Sequence, residues 1–101
     1  MTDLSTNLKS TDLAPGQKKC VVLNGKKISV FNVAGAFHAI DDTCPHRAGP
    51  LSDGDFEGDV VTCPWHGWRF NVKTGQGTDF PQAKVASYPV DVATGTIVVK
   101  M

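Results

Sequence analysis

The sequence predicts an all-β chain, and three observations carry that expectation. Ten glycines and six prolines punctuate short apolar runs over 101 residues, as in proteins built from many short strands and turns. The stretch "CVVLNGKKISVFNV" sets Asn24-Gly25 between β-branched segments, and only residues tolerant of positive φ fill a tight hairpin turn. Helix signals are thin, since "STDLAPGQ" has room for one turn before Pro15-Gly16 ends it.

The strands follow in order. Asn24-Gly25 joins the first hairpin. "AFHAI" is a short strand entered through the turn Ala34-Gly35, and "DVVTC" is another that runs into Cys63. "VASYPVDV" and "TIVVK" flank the turn Ala93-Thr94-Gly95-Thr96 and predict a closing hairpin. Pro89 inside the first of these requires an edge position or a bulge, because proline cannot donate to a ladder. Between Thr43 and Lys84 only short strand candidates occur. Long loops in a compact chain are usually functional.

Length allows one domain, spanning 1–101. Net charge is zero, and lysine and arginine form no basic run, so nothing points to nucleic acid as a partner. The opening "MTDLSTNLKS" lacks the apolar core of a signal peptide. No stretch approaches the roughly 20 apolar residues of a membrane span. A cytoplasmic chain without membrane association is expected. Three cysteines in such a compartment disfavour a disulfide scaffold and favour metal binding or catalysis.

The chemistry-bearing pattern is Cys44-x-His46, sixteen residues, then Cys63-x-x-His66, within "CPHRAGPL" and "CPWHGWRF". A thiol hydrolase needs one cysteine beside one histidine and leaves the second pair unexplained. Two cysteines and two histidines also suit tetrahedral zinc. Finger-type sites, however, group the cysteines in one half and the histidines in the other, whereas here each half supplies one of each. A Rieske [2Fe–2S] centre has two thiolates on one iron and two imidazoles on the other, so two facing mixed loops meet its needs. Pro45 and Pro64 restrict the backbone after each cysteine. Gly49 and Gly67 let the loops pass close to a bulky inorganic core.

These two stretches resemble the signature of the Rieske family, with the similarity running from about Lys19 to Lys100. The resemblance implies an antiparallel β sandwich with a small cluster-binding subdomain of two loops, at about 42–84. It implies one [2Fe–2S] cluster per chain, with Cys44 and Cys63 on one iron and His46 and His66 on the other. The Rieske proteins of respiratory cytochrome bc complexes carry an extra disulfide where this chain has Gly49 and Trp65. They also carry a serine and a tyrosine where this chain has Trp68 and Phe70. Hydrogen bonds around the cluster raise its potential, so the loss of two hydroxyls predicts the lower end of the family range of about −150 to +300 mV.

A cluster held by four protein ligands has no open position for substrate, so a one-electron carrier is expected and not an enzyme. The histidine iron is expected outermost, with His46 and His66 as the port for electrons. Oxygenase catalytic subunits need a second iron site with two histidines and a carboxylate. Only His38 remains to supply it. The resemblance therefore implies a soluble ferredoxin that carries electrons from a flavin-dependent reductase to the terminal oxygenase of an aromatic-ring dioxygenase system, and its small size suits a monomer. The alternatives are the small Rieske subunit of a NAD(P)H nitrite reductase and a zinc-stapled interaction module.

The remaining residues take subsidiary roles. Asp41, Asp42, Asp53, Asp55, Glu57 and Asp59 lie near the first ligand loop in the sequence. They form either a solvated loop or an acidic surface that steers toward basic partners. Cys20 is expected to be a buried small hydrophobe. His38 is expected on the strand face opposite Phe37. Trp65 and Trp68 are expected to shield the cluster, and Pro81 to cap it from a third loop.

Overall fold

The computed structural model describes residues 3–43, 50–64, 67–78 and 83–100. Among the described residues, ten strands and one short 3₁₀ turn make up the regular structure, and every strand pairing is antiparallel. The strands are β1 (Asp3–Lys9), β2 (Lys18–Leu23), β3 (Lys26–Val33), β4 (Ala36–Asp41), β5 (Asp55–Glu57), β6 (Val60–Thr62), β7 (Arg69–Asn71), β8 (Ser87–Tyr88), β9 (Val90–Ala93) and β10 (Thr96–Lys100). The 3₁₀ turn is Leu51–Asp53. Three sheets result, with strand orders β1-β10-β9, β2-β3-β4-β8 and β5-β6-β7.

The four-stranded sheet is the middle layer. On one face Leu23, Ile28, Val30 and Ala39 pack against Ile97 and Val99 of the β1-β10-β9 sheet. On the other face Phe31 and Ile40 pack against Val61 and Phe70 of the β5-β6-β7 sheet, with Leu51, Cys63, Val72 and Val85 filling in. Successive side chains of a strand point to opposite faces. Covering both faces therefore explains why Ile28 to Asn32 are buried without a break. Phe31 meets Phe56 edge-on, with centroids 4.8 Å apart, and ties the small sheet to the middle one.

Three hairpins close with two-residue turns whose central residues both have positive φ: Asn24-Gly25 (52° and 76°), Ala34-Gly35 (52° and 94°) and Thr94-Gly95 (54° and 79°). Their handedness matches the twist of the flanking strands. All three turns follow the sequence expectation, although Ala34 and Thr94 adopt a conformation that Asn accepts more readily.

Two features depart from it, while "STDLAPGQ" forms turns, bonded Asp12 N–H to Lys9 C=O and Gln17 N–H to Ala14 C=O, and no helix, in line with its thin helix signal. Before it lies a strand the sequence reading did not predict, β1, which pairs with β10 from Asp3↔Lys100 to Lys9↔Thr96 across a register shift. Finally, "VASYPVDV" is not one strand. At Pro89 the chain leaves the edge of the middle sheet, where β8 pairs with β4, and joins the edge of the other, where β9 pairs with β10. Pro89 thus occupies the edge position that its missing N–H demands.

Candidate metal centre

Two loop stems stand side by side at the small sheet. The first is closed by the bridge Thr43↔Pro50 and by a 2.6 Å bond from Leu51 N–H to the carbonyl of Asp42. The second continues the β6-β7 hairpin beyond Thr62↔Arg69 and is closed by a 2.6 Å bond from Cys63 N–H to the carbonyl of Trp68. Gly67, with φ of 73°, turns the chain back toward β7. A third stem follows, closed by Gly77 N–H to the Ala83 carbonyl (2.8 Å) and held to β7 by Thr78 N–H to the Arg69 carbonyl (2.9 Å).

The first two stems touch at Gly54. A Cβ there would collide with the carbonyl oxygen of Thr62 and lie 3.2 Å from Cδ of Pro64. Gly54 has φ of −83°, so its backbone would accept any residue and the requirement is purely for space. Gly54→Ala is expected to lower both the melting temperature and the iron content, since forcing the stems apart costs about 1–3 kcal/mol. Unchanged melting and full iron loading would show that the contact does not fix the loops.

Among the four predicted ligands, Cys63 lies within the described residues, and Cys44, His46 and His66 lie outside them, as do Arg47, Trp65 and Pro81. Cys63 is 1 % exposed, packed with Leu51, Val61 and Phe70. An apolar setting disfavours a bare thiolate, whereas a cationic metal core neutralises it. Phe70 is fully buried and has no hydroxyl to offer, and Trp68 packs half-buried against the same core. The buried Cys63 and the close approach of the stems therefore fit a thiolate-held metal cluster at this site.

Asp42 holds the first stem. It is 2 % exposed and accepts 2.8 Å hydrogen bonds on Oδ1 from the Ser29 hydroxyl and the Ser52 N–H. Its own N–H donates to the Lys27 carbonyl at 3.0 Å. Burial alone would raise the carboxyl pKa. The hydroxyls of Ser52 and Ser29, the Ser52 N–H and the Cys20 thiol outweigh burial and bring it below the ordinary carboxylate value. Cys20 is half-buried and not the simple hydrophobe expected. Burial, then the charge of Asp42 and a hydrogen bond to it, push its thiol up, so it stays protonated. This polar clamp escaped the sequence reading. Its one signal was Ser29, a hydroxyl inside the apolar strand "ISVF", which needs a buried partner.

The acidic group is thereby divided. Asp53, Asp55 and Glu57 are exposed. Asp42 is internal, Asp41 accepts a 2.7 Å bond from the Tyr88 hydroxyl, and Asp59 accepts one from Asn71 at 3.4 Å. Asp41 and burial push Tyr88 up to about 12, burial being the larger cause. His38 is half-buried on β4, and Phe37 packs into the other core, as alternation predicted. Burial, and then Lys73, lower its pKa.

The sequence model of the Rieske [2Fe-2S] domain matches residues 5–89. This chain belongs to the Rieske [2Fe–2S] domain family. This Rieske protein is 37 % identical over 91 residues to the ferredoxin component of the naphthalene 1,2-dioxygenase/salicylate 5-hydroxylase systems of Ralstonia sp., covering 89 % of this chain and 88 % of that one. It superposes with a TM-score of 0.89, at 34 % identity, on a chain from the complex of reduced oxygenase and oxidised ferredoxin in carbazole 1,9a-dioxygenase, covering 96 % of this chain and 91 % of that one. The ferredoxin of carbazole 1,9a-dioxygenase from Nocardioides aromaticivorans IC177 gives the same TM-score at 28 % identity, covering 98 % and 97 %. The cofactor of this Rieske protein is a [2Fe–2S] cluster, which sets aside the zinc-stapled module. Its role is electron transfer and not catalysis. Among the described residues no helix is long and apolar enough to cross a membrane.

Proposed function

We propose that this chain is the ferredoxin of an aromatic-ring dioxygenase-type system, taking single electrons from a flavin-dependent reductase and passing them to a terminal oxygenase. The observation that carries the reading is the near end-to-end match, in both directions, to free-standing ferredoxin components of dioxygenase systems. We assign the cluster to Cys44 and Cys63 on one iron and His46 and His66 on the other, in a subdomain of about residues 42–84 within a single domain. The burial of Cys63 and the contact of the two stems support that assignment. When bound, the cluster supplies one-electron chemistry.

The protein's own residues do the rest. The Asp42 clamp and the Cys63-to-Trp68 bond hold the loop stems in place, so little rearrangement accompanies a change of charge. Val61, Phe70 and Leu51 exclude water from the thiolate side. The carrier acts as a monomer in this reading, with His46 and His66 as its port for electrons.

Asp53, Asp55 and Glu57 lie beside these stems, on the 3₁₀ turn and the outer face of β5, and give the encounter a charge. The test is stopped-flow mixing of the protein with a flavin reductase and with an aromatic-ring oxygenase. Both transfers are expected to occur. They should slow several-fold between about 0.01 and 0.15 M salt, as the Debye length shrinks from about 30 to about 8 Å. A flat salt profile removes the acidic face from the encounter. Failure of both transfers removes the carrier reading.

A further inference from the structure

We propose that the cleft where the chain crosses between its two main sheets is a binding site for a small, ring-bearing monocarboxylate. The cleft follows from Pro89. β8 pairs with β4 only at Ala39↔Tyr88 and Ile40↔Ser87, and Pro89, without an N–H, cannot extend the ladder. The chain leaves for β9, and among the described residues the start of β4 has no strand neighbour on that side. An opening of about 560 Å³ remains there, within the range of about 300–1,000 Å³ usual for small-molecule sites. It lies at the end of β4 away from the loop stems. His38 precedes Thr43 by five residues, roughly 17 Å at about 3.4 Å per residue. The inference therefore does not rest on the cluster assignment.

The two walls of the cleft differ in chemistry. Residues paired across a ladder share a face, so Phe37 lies on the face of Ala39 and Tyr88, and His38 on the face of Ile40 and Ser87. On the first face Phe37, Tyr88 and Val90 pack half-buried against the edge of one core. Tyr88 donates its hydroxyl to Asp41 at 2.7 Å and so offers the cleft its ring. This wall suits an apolar ring. On the second face the half-buried His38 and the exposed hydroxyl of Ser87 share the cleft with Lys73. Lys73 stands in the turn after β7, its N–H donated to Asn71 Oδ1 at 2.8 Å. Burial, and then the ammonium of Lys73, lower the His38 pKa, so near neutral pH the imidazole is uncharged and donates through one ring N–H. Among the described residues no carboxylate lines the cleft. One ammonium beside neutral donors matches a single negative charge. A phosphate ester also calls for the row of backbone N–H groups at a helix N-terminus, which strand edges and Pro89 do not supply. The ligand's carboxylate is therefore assigned to Lys73, Ser87 and His38, and its ring to Phe37, Tyr88 and Val90.

The experiment titrates isotope-labelled holoprotein with sodium benzoate at constant ionic strength and follows the amide chemical shifts. Saturable shifts are expected at Phe37, His38, Ser87 and Val90, with half-saturation on the order of 1 mM for so small a ligand on an open cleft. Acetate carries the charge without the ring, and benzyl alcohol the ring without the charge. Each is expected to bind about tenfold more weakly than benzoate or worse. Lys73→Gln removes the ammonium from an exposed position and is expected to weaken benzoate about tenfold. Lys84→Gln, at an exposed lysine that does not line the cleft, is expected to change it less than about twofold. The absence of saturable shifts at about ten times the expected half-saturation overturns the proposal. So does a Lys73→Gln protein that binds benzoate as the wild type does, or equal binding of acetate or benzyl alcohol. Shifts at the same amides on adding a flavin reductase or an oxygenase, with none from benzoate, would make the cleft a protein contact and overturn the proposal equally.

Discussion

Replacing Cys63 with serine is expected to give a colourless protein with less than about a tenth of the wild-type iron and acid-labile sulfide. The thiolate is the nucleophilic, metal-binding form of cysteine, and iron–sulfur clusters are held by it. A serine hydroxyl stays protonated at neutral pH and cannot neutralise the core. The effect goes beyond one lost bond. Cys63 sits at the base of the second loop, within a core shared by both stems, and binding energy that joins two loops is also folding energy. The proposed partners Cys44→Ser and His66→Ala are expected to behave alike, because a four-ligand cluster has no spare donor. Cys20→Ser is the informative contrast. Its thiol is held protonated beside Asp42, so full colour is expected. Iron assay, visible spectrum and reduced spin resonance make the check. A coloured, iron-replete Cys63→Ser would sink the ligand assignment, and a colourless Cys20→Ser would mean that the wrong thiol had been chosen.

The same contrast explains what the sequence could and could not reveal. Tight turns are local, and Asn24-Gly25 shows its hairpin because few residue pairs accept two positive φ values. The ligand loops are legible for a related reason, since iron–sulfur chemistry admits few residue types and leaves their spacing bare. Strand β1 pairs with a segment at the opposite end of the chain, so its only local trace is the alternation of Leu4, Thr6 and Leu8 in "DLSTNLK", each more buried than its neighbours. Pro89 marked an edge correctly, but no local signal says that the two edges belong to different sheets. The clamp is the clearest case. Asp42 meets Ser29 from thirteen positions before it and Ser52 from ten after it. Only the folded middle sheet brings those three residues together. Reading it as a surface acid was reasonable composition and wrong geometry.

Asp42→Ala is expected to destabilise the fold by about 3 kcal/mol near neutral pH. Hydrogen bonds to charged groups contribute about 1.5–3 kcal/mol each, and the truncation leaves the Ser29 hydroxyl and the Ser52 N–H to find other partners in a buried site. For a domain of this length that is a fall in melting temperature on the order of 15 °C. The pH dependence distinguishes a charged clamp from simple loss of packing. Asp42 has its carboxyl pKa depressed in the folded state. Its contribution is therefore complete above the unfolded value of about 3.9 and is lost as pH falls through the lower folded value. Urea unfolding followed by circular dichroism should give a constant gap between wild type and Asp42→Ala from pH 7 to 5. That gap should narrow as the pH drops below about 4. A gap that stays fixed down to pH 2.5 would mean that volume and not charge is what Asp42 contributes. A gap that closes already at pH 5–6 would mean that burial, which raises the carboxyl pKa, prevails over the hydroxyls of Ser29 and Ser52, and that the stem is held by a neutral acid.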